Sequence, residues 1–170
     1  GSRPLVTMDT KAMKTLTVLL LAFVLCSVSQ AAREYTGPRP PQPDIPYLIH
    51  ADNLIPAEVA EAQQETRKND VIFTVSGAAS SVRTPLAEPA FLFLSGSIAP
   101  DSLELFRFEI KNGNRQLVTS KKSSHPLHLT VTKLDDKLYR IEVDETLGLA
   151  PGEYVLSPSG SNQSFCFQVY

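Results

Sequence analysis

Alternation of apolar and polar residues, with a period of two, dominates the chain from Pro46 onward. It is clearest at 127–132 and 138–143, two runs that are joined by a polar turn at 135–137. This period places successive side chains on opposite faces of a β-strand. Similar runs of β-branched and aromatic residues predict further strands at 47–49, 71–75, 90–94, 103–111, 115–120, 153–156 and 165–169.

Turn residues separate these runs and indicate antiparallel pairing. Asn112-Gly113 stands between two predicted strands, and Asn-Gly is a strong signal for a two-residue hairpin turn, because both central residues of a type I′ turn need positive φ. The strands follow one another about every 10–15 residues with turns between them, and this spacing favours an all-β fold. We therefore expect an antiparallel β-sandwich of about seven to nine strands.

One segment, at 57–68, fits two structures. Its residues are mostly strong helix formers, and Pro56 suits the first position of a helix. Its few apolar side chains, Val59, Ala60 and Ala62, make a poor stripe for docking a helix. A polar edge strand is equally consistent, so both a short helix and a strand remain open here.

The N-terminal region has the organisation of an export signal. A short basic start at Met13-Lys14 precedes an apolar run at 16–26, and Ser29-Gln30-Ala31 supplies small residues for cleavage before Ala32. We interpret 13–31 as a signal peptide, because the run is shorter than the about 20 apolar residues that span a membrane.

The remaining domain boundaries follow from this leader. Residues 1–12 precede the predicted start and are interpreted as a cloning remnant or a reading-frame extension. Residues 32–46 are rich in proline and predict an extended tether, and 47–170 form the β-sandwich domain. No transmembrane segment is expected in the mature chain.

Cysteine usage and charge limit the setting and the partners. Of the two cysteines, Cys26 lies in the leader, so Cys166 has no intramolecular disulfide partner in the mature chain. An exported domain without disulfides is typical of a bacterial envelope, which predicts a secreted or periplasmic location in a bacterium. A formal net charge of -2 disfavours a nucleic-acid partner. Whether Cys166 pairs between two chains stays open.

A six-residue segment, Leu-Ala-Pro-Gly-Glu-Tyr at 149–154, carries the one fold-specific signal. A Pro-Gly turn followed two residues later by a tyrosine resembles the tyrosine corner of immunoglobulin-like and fibronectin-like sandwiches. The resemblance implies structural roles for Pro151, Gly152 and Tyr154, with the hydroxyl of Tyr154 bonded to the backbone just upstream. It concerns the superfold and implies no particular function.

Candidate chemistry is sparse. The small-residue segment with Ser80, Ser81 and Arg83 is the candidate ligand-contact loop, within the longer connection 77–89; a second candidate loop is 121–126. His125 and His128 are a weak candidate pair of metal ligands. We assign no catalytic residue, because the chain has no G-x-S-x-G elbow and no H-E-x-x-H motif.

These observations predict an exported, non-catalytic β-sandwich module with a binding or structural role in the cell envelope. Its partner would be an unknown protein or envelope ligand, and no cofactor is expected. Two alternatives are a secreted hydrolase with sequence-distant catalytic residues, built on His50 or His128, and a metal carrier that uses His125 and His128. The ligand, the source organism and the oligomeric state do not follow from the sequence.

Overall fold

The computed structural model describes residues 1, 2, 4, 34–120 and 125–170. Within the chain, Gly1–Glu34 and Tyr35–Tyr170 are separate compact units, and the description below concerns the second unit. The predicted signal peptide at 13–31 lies outside the described residues, as do 121–124 of the second candidate contact loop.

The described part of the second unit is almost entirely β-structure, which confirms the predicted all-β class. Its strands are β1 (Pro46–His50), β2 (Asn53–Pro56), β3 (Glu58–Glu61), β4 (Gln63–Arg67), β5 (Asp70–Val75), β6 (Arg83–Thr84), β7 (Ala90–Leu94), β8 (Leu103–Arg107), β9 (Glu109–Lys111), β10 (Asn114–Thr119), β11 (Leu129–Asp135), β12 (Leu138–Val143), β13 (Gly152–Pro158) and β14 (Gln163–Val169). The helical element among the described residues is a 3-10 turn at Pro100–Ser102.

These fourteen strands exceed the predicted number, which was too low. The short strands β2 and β6 carry too few residues to show an alternation. In addition, the run at 103–111, predicted as one strand, is divided into β8 and β9 at Phe108.

The segment at 57–68 forms β3 and β4 rather than a helix. β3 pairs antiparallel with β14, with Val59 opposite Phe165, and β4 pairs antiparallel with β5. Helix propensity is a weak preference that tertiary pairing overrides. The small apolar side chains of Ala60 and Ala62, which made a poor helical stripe, are sufficient for one face of a strand that packs on a core.

Two sheets face each other as a sandwich. The outer sheet has the order β11-β12-β7-β1-β2, and the central sheet has the order β3-β14-β13-β8, with β6 added beside β14. The first core, between these sheets, contains Leu48, Phe91, Phe93, Ile141, Tyr154, Leu156, Phe165 and Phe167. Burial of each large side chain contributes about 1.5–3 kcal/mol, so this core is a main source of stability.

A third sheet, β4-β5-β10-β9, lies on the other face of the central sheet and is joined to it at both edges. β3 continues into β4 through Ala62, and β8 continues into β9 through Phe108. At these bends, the N–H groups of Ala62 and Phe108 still donate to Asn162 and Glu153 of the central-sheet side, each at 2.8 Å. Pairing therefore runs in a closed circuit, β3/β4–β14–β13–β8/β9–β10–β5 and back to β4, which we call the strand ring.

The strand ring encloses a second core, so the central sheet is buried on both faces. Ala62, Val75, Phe108, Val155 and Cys166 form this core, with Phe73, Phe106 and Leu117 packed against it. Burial on both faces explains why the sequence at 154–156 and 165–167 is continuously apolar instead of alternating.

The tyrosine of the Pro-Gly segment has the hydrogen bond that the resemblance implies. The hydroxyl of Tyr154 donates to the carbonyl oxygen of Ala150 at 2.6 Å, and burial raises the pKa of Tyr154. The Arg107 guanidinium donates to the carbonyl oxygen of Pro151 at 3.0 Å. A Cβ at Gly152 would lie 3.0 Å from the same guanidinium, so a small residue is favoured there.

The predicted tether at 32–46 is fastened at its C-terminal end. The N–H groups of Gly96, Ser97 and Ile98 donate to the Asp44 carboxylate at 2.8–2.9 Å. Burial alone raises the pKa of Asp44, but these hydrogen bonds outweigh it and hold the pKa below its ordinary value.

Candidate functional site

One end of the strand ring is open, and a cavity of about 290 Å³ enters its interior there. Inward-facing apolar side chains form the floor: Phe73, Phe106, Phe108, Leu117 and Val155. The rim consists of Glu104, Thr119, Ser164 and residues 157–161, which include the end of β13 and the turn that follows it. An apolar concavity with a few polar groups at its mouth is the usual form of a small-molecule site.

Small side chains keep this end of the ring open. Ala60 lies opposite Ser164 in the pairing of β3 with β14, and Ser157 lies opposite Glu104 in the pairing of β13 with β8. A layer built largely from such residues is too small to fill the interior of a closed sheet. The next layers inward contain the aromatic floor, so the cavity is apolar at its base.

Two rim hydroxyls, those of Ser157 and Thr119, present acceptors to the cavity, whereas those of Ser159 and Ser161 donate to no described group. The hydroxyl of Ser157 donates to the carbonyl oxygen of Gln163 at 2.7 Å, and that of Thr119 donates to the carbonyl oxygen of Val71 at 3.1 Å. The protons of these two hydroxyls thus bind backbone carbonyls, and their oxygen lone pairs remain available as hydrogen-bond acceptors. The side-chain carboxylate of Glu104 makes no hydrogen bond or ion pair within the part of the chain that the structure describes.

The opposite end of the ring is closed by an ion pair whose arginine is buried and whose glutamate is partly buried. The side chain of Arg115 is 3% exposed, and its guanidinium donates to both oxygens of Glu58 at 3.1 and 2.8 Å. It also donates to the carbonyl oxygens of Ser76 and Gly77 at 2.7 and 3.0 Å. Burial raises the pKa of Glu58, but the hydrogen bonds and charge of Arg115 outweigh burial and hold the pKa below its ordinary value.

A second carboxylate, Glu153, lies at the same end. Its Oε1 accepts the N–H of Ser80 at 2.6 Å, whereas its buried Oε2 has no partner among the described residues. Burial raises the pKa of Glu153, and the Ser80 N–H and the charge of Arg115 oppose that rise only in part. This end therefore holds one cation and two carboxylates, one with a lowered pKa and one with a raised pKa.

The candidate ligand-contact residues lie at this closed end and not at the cavity. Ser80 is buried, and its hydroxyl donates to the carbonyl oxygen of Cys166 at 3.3 Å. Ser81 is exposed, and its N–H donates to Glu58 at 3.3 Å. Arg83 lies over the ring of Tyr170, 4.2 Å from its centroid. The loop thus covers the closed end of the strand ring. The small, polar residues of the loop did not indicate this arrangement.

The histidines line an open surface groove or stand alone. His125 and His128 border a groove with Asp101 and Glu104, and the His128 side chain is 82% exposed with its Nδ1 3.4 Å from Glu145. Among the described residues, no three potential metal ligands cluster. His50 is exposed at the end of β1. The metal and hydrolase alternatives therefore stay predictions without an arrangement that favours them.

Cys166 faces the second core. It is 0% exposed and lies inside the strand ring. Burial raises the pKa of this thiol to about 12. The thiol is consequently protonated at neutral pH and has little nucleophilic character.

The cavity escaped sequence reasoning because its walls come from strands far apart in the chain. One signal was present at 103–111, where Leu103 and Leu105 alternate with Phe106 and Phe108. Apolar residues on both faces of one strand indicate a core on each side of its sheet. A core on the second side requires another layer of secondary structure that covers that face.

Comparison with known proteins finds no matching family model, no similar curated protein and no similar solved structure. Within the described residues, no helix has the length and apolar character needed to cross a membrane.

Proposed function

We propose that this protein is an exported, non-catalytic binding module that holds a small, partly apolar molecule in the open end of the strand ring. The observation that carries the proposal is the cavity of about 290 Å³ with an aromatic and aliphatic floor. Its volume suits a single ring or a short chain, since pockets for drug-sized ligands begin at about 300 Å³.

The surrounding framework supports a rigid receptor rather than an enzyme. The cavity walls belong to strands that pair continuously around the ring, and binding sites on such elements are held more firmly than sites on loops. The thiol nearest the cavity floor, that of Cys166, is protonated, so it supplies no nucleophile.

Binding is tested with a neutral single-ring probe, toluene, titrated into the full chain and followed by NMR shifts. We expect saturable shifts of residues that line the cavity. Leu117→Trp fills the cavity and should weaken binding at least about tenfold, which corresponds to about 1.4 kcal/mol. Val118→Trp is the matched control, because Val118 is the next residue of β10 and is 39% exposed.

The proposal fails if the unaltered protein gives no saturable signal or if Leu117→Trp binds the probe as well as Val118→Trp does. Circular dichroism and the Tm establish that each variant is folded. Phe106→Trp, on β8, is a second blocking variant in case Leu117→Trp does not fold.

Export is tested separately on the protein expressed in a bacterial host with its leader intact. We expect the protein outside the cytoplasm with Ala32 as its first residue, as determined by mass spectrometry. A full-length, cytoplasmic product would contradict the signal-peptide interpretation and leave the cavity proposal standing.

A further inference from the structure

We infer that the ligand of the ring cavity combines a small apolar group with a cationic amine, which the carboxylate of Glu104 and the neighbouring hydroxyl oxygens receive. This inference rests on the proposed function of the cavity and specifies the chemical class of its ligand.

The position of Glu104 is the first argument. It lies on β8 on the same face as Phe106 and Phe108, which belong to the cavity floor, and it is paired with Ser157 of the rim. Its carboxylate is half-buried at the cavity mouth and has no partner within the described residues. A charge in this position is available to a ligand whose apolar part reaches the floor.

The hydrogen-bonding character of the rim is the second argument. The hydroxyls of Ser157 and Thr119 donate hydrogen bonds to backbone carbonyls, and that of Ser164 donates to the carbonyl oxygen of Asn162 at 3.3 Å. These three hydroxyls therefore offer lone pairs to the cavity. An ammonium group has three donors and no acceptor, so it matches this part of the rim, while the hydroxyls of Ser159 and Ser161 can either donate or accept.

Local charge is the third argument. No described residue that lines the cavity is basic, and the groove that adjoins Glu104 holds a second carboxylate, Asp101, together with His125 and His128. Arg115 lies at the closed end, where Glu58 pairs with it. Among the described residues that line the cavity, an anionic ligand would therefore meet repulsion from Glu104 and no lysine or arginine, whereas a cation gains a charge-assisted hydrogen bond.

Three ligands with the same aromatic part test the inference: 2-phenylethylamine, 2-phenylethanol and 3-phenylpropanoate. Each is titrated into the full chain at pH 7 and followed by calorimetry and by NMR shifts. We expect the amine to bind about fivefold more tightly than the alcohol, the gain typical of a partly exposed ion pair, and the carboxylate to bind most weakly. The advantage of the amine should shrink at 0.5 M salt because exposed charges are screened.

Two variants locate the effect. Glu104→Gln should remove the advantage of the amine and leave the affinity for the alcohol within twofold. Glu109→Gln is the matched control, since Glu109 is exposed on β9, the continuation of the same bent strand, and should change nothing.

The outcomes separate the two proposals. Equal binding of amine and alcohol, or an amine advantage that survives Glu104→Gln, overturns the inference while the cavity remains a binding site. If none of the three ligands binds, the inference is also overturned, and the neutral probe then decides the proposed function by itself.

Discussion

At the scale of single residues, two carboxylates at the closed end of the strand ring have pKa values that their surroundings shift in opposite directions. Arg115 directs its N–H groups at Glu58 and at two backbone carbonyls, so Glu153 receives its charge but no hydrogen bond from it. The pKa of Glu58 is consequently lowered and that of Glu153 raised. Hydrogen bonds from the cation dominate at Glu58 and burial dominates at Glu153, so one arginine is flanked by two carboxylates whose pKa values differ.

The raised pKa of Glu153 predicts a specific pH dependence of stability. The folded protein binds this proton more tightly than the unfolded chain, so the contribution is fully present below the ordinary carboxyl pKa and is lost as pH rises through the folded pKa. Glu153→Gln mimics the protonated form. We therefore expect the variant to match the unaltered protein near pH 4 and to be more stable at pH 7, by about 1 kcal/mol.

Chemical unfolding at a series of pH values measures this difference. Glu88→Gln, at an exposed carboxylate, serves as the control and should follow the unaltered protein throughout. Parallel stability curves for Glu153→Gln and the unaltered protein would contradict the assignment of a buried, proton-binding carboxyl group at this position.

At the scale of elements, the hairpin between β9 and β10 shows a local signal that decides local structure. Asn112 and Gly113 have φ values of 51° and 73°, the positive values that the Asn-Gly pair predicted. A Cβ added at Gly113 would meet no atom within 4 Å, so a substitution there changes only the backbone preference. This turn isolates conformational strain from packing.

Gly113→Ala should therefore destabilise the protein by about 1 kcal/mol, the usual cost of a left-handed conformation for a residue with a Cβ. Gly113→Asn should cost less than half as much, because asparagine tolerates this region. Urea unfolding of both variants provides the measurement. An equal loss for alanine and asparagine would indicate that contacts, and not φ, determine the effect.

Strands with strong local patterns were predictable from the sequence, whereas the bends and the cavity were not. β7 and β12 have uninterrupted apolar or alternating runs that need no tertiary information. The bend at Phe108 depends on which partner strand is nearer on each side, and β3 and β4 form against their helix propensity because β14 and β5 pair with them. Leu117 and Glu104 look like ordinary strand residues until the strand ring places them around one cavity.

At the scale of the whole molecule, the central sheet couples two cores. Its strands send alternate side chains to opposite sides, so that Phe165 and Phe167 enter the first core and Cys166 enters the second. Both cores pack against the central sheet, so unfolding of that sheet exposes both of them. We therefore expect the described unit to unfold as one cooperative body, as most single domains of this size do.

Cys166 reports on this cooperativity in a Cys26→Ala background, in which it is the single thiol of the chain. Its thiol is 0% exposed and has a pKa of about 12 in the folded protein, so labelling by a disulfide reagent at pH 8 requires opening of the ring. Phe91→Leu removes volume from the first core only, where Phe91 packs at 5.0 Å from Phe167 between ring centroids. A loss of about 1.4 kcal/mol should raise the labelling rate of Cys166 about tenfold.

The comparison is informative because the altered residue and the reporter lie on opposite sides of the central sheet. Leu147→Ala, at a side chain that is 95% exposed, controls for nonspecific effects and should leave the rate unchanged. If Phe91→Leu lowers the Tm without accelerating labelling, the ring opens independently of the sandwich, and the two cores belong to separate folding units. If labelling accelerates in proportion to the lost stability, the shared sheet transmits the defect from one core to the other.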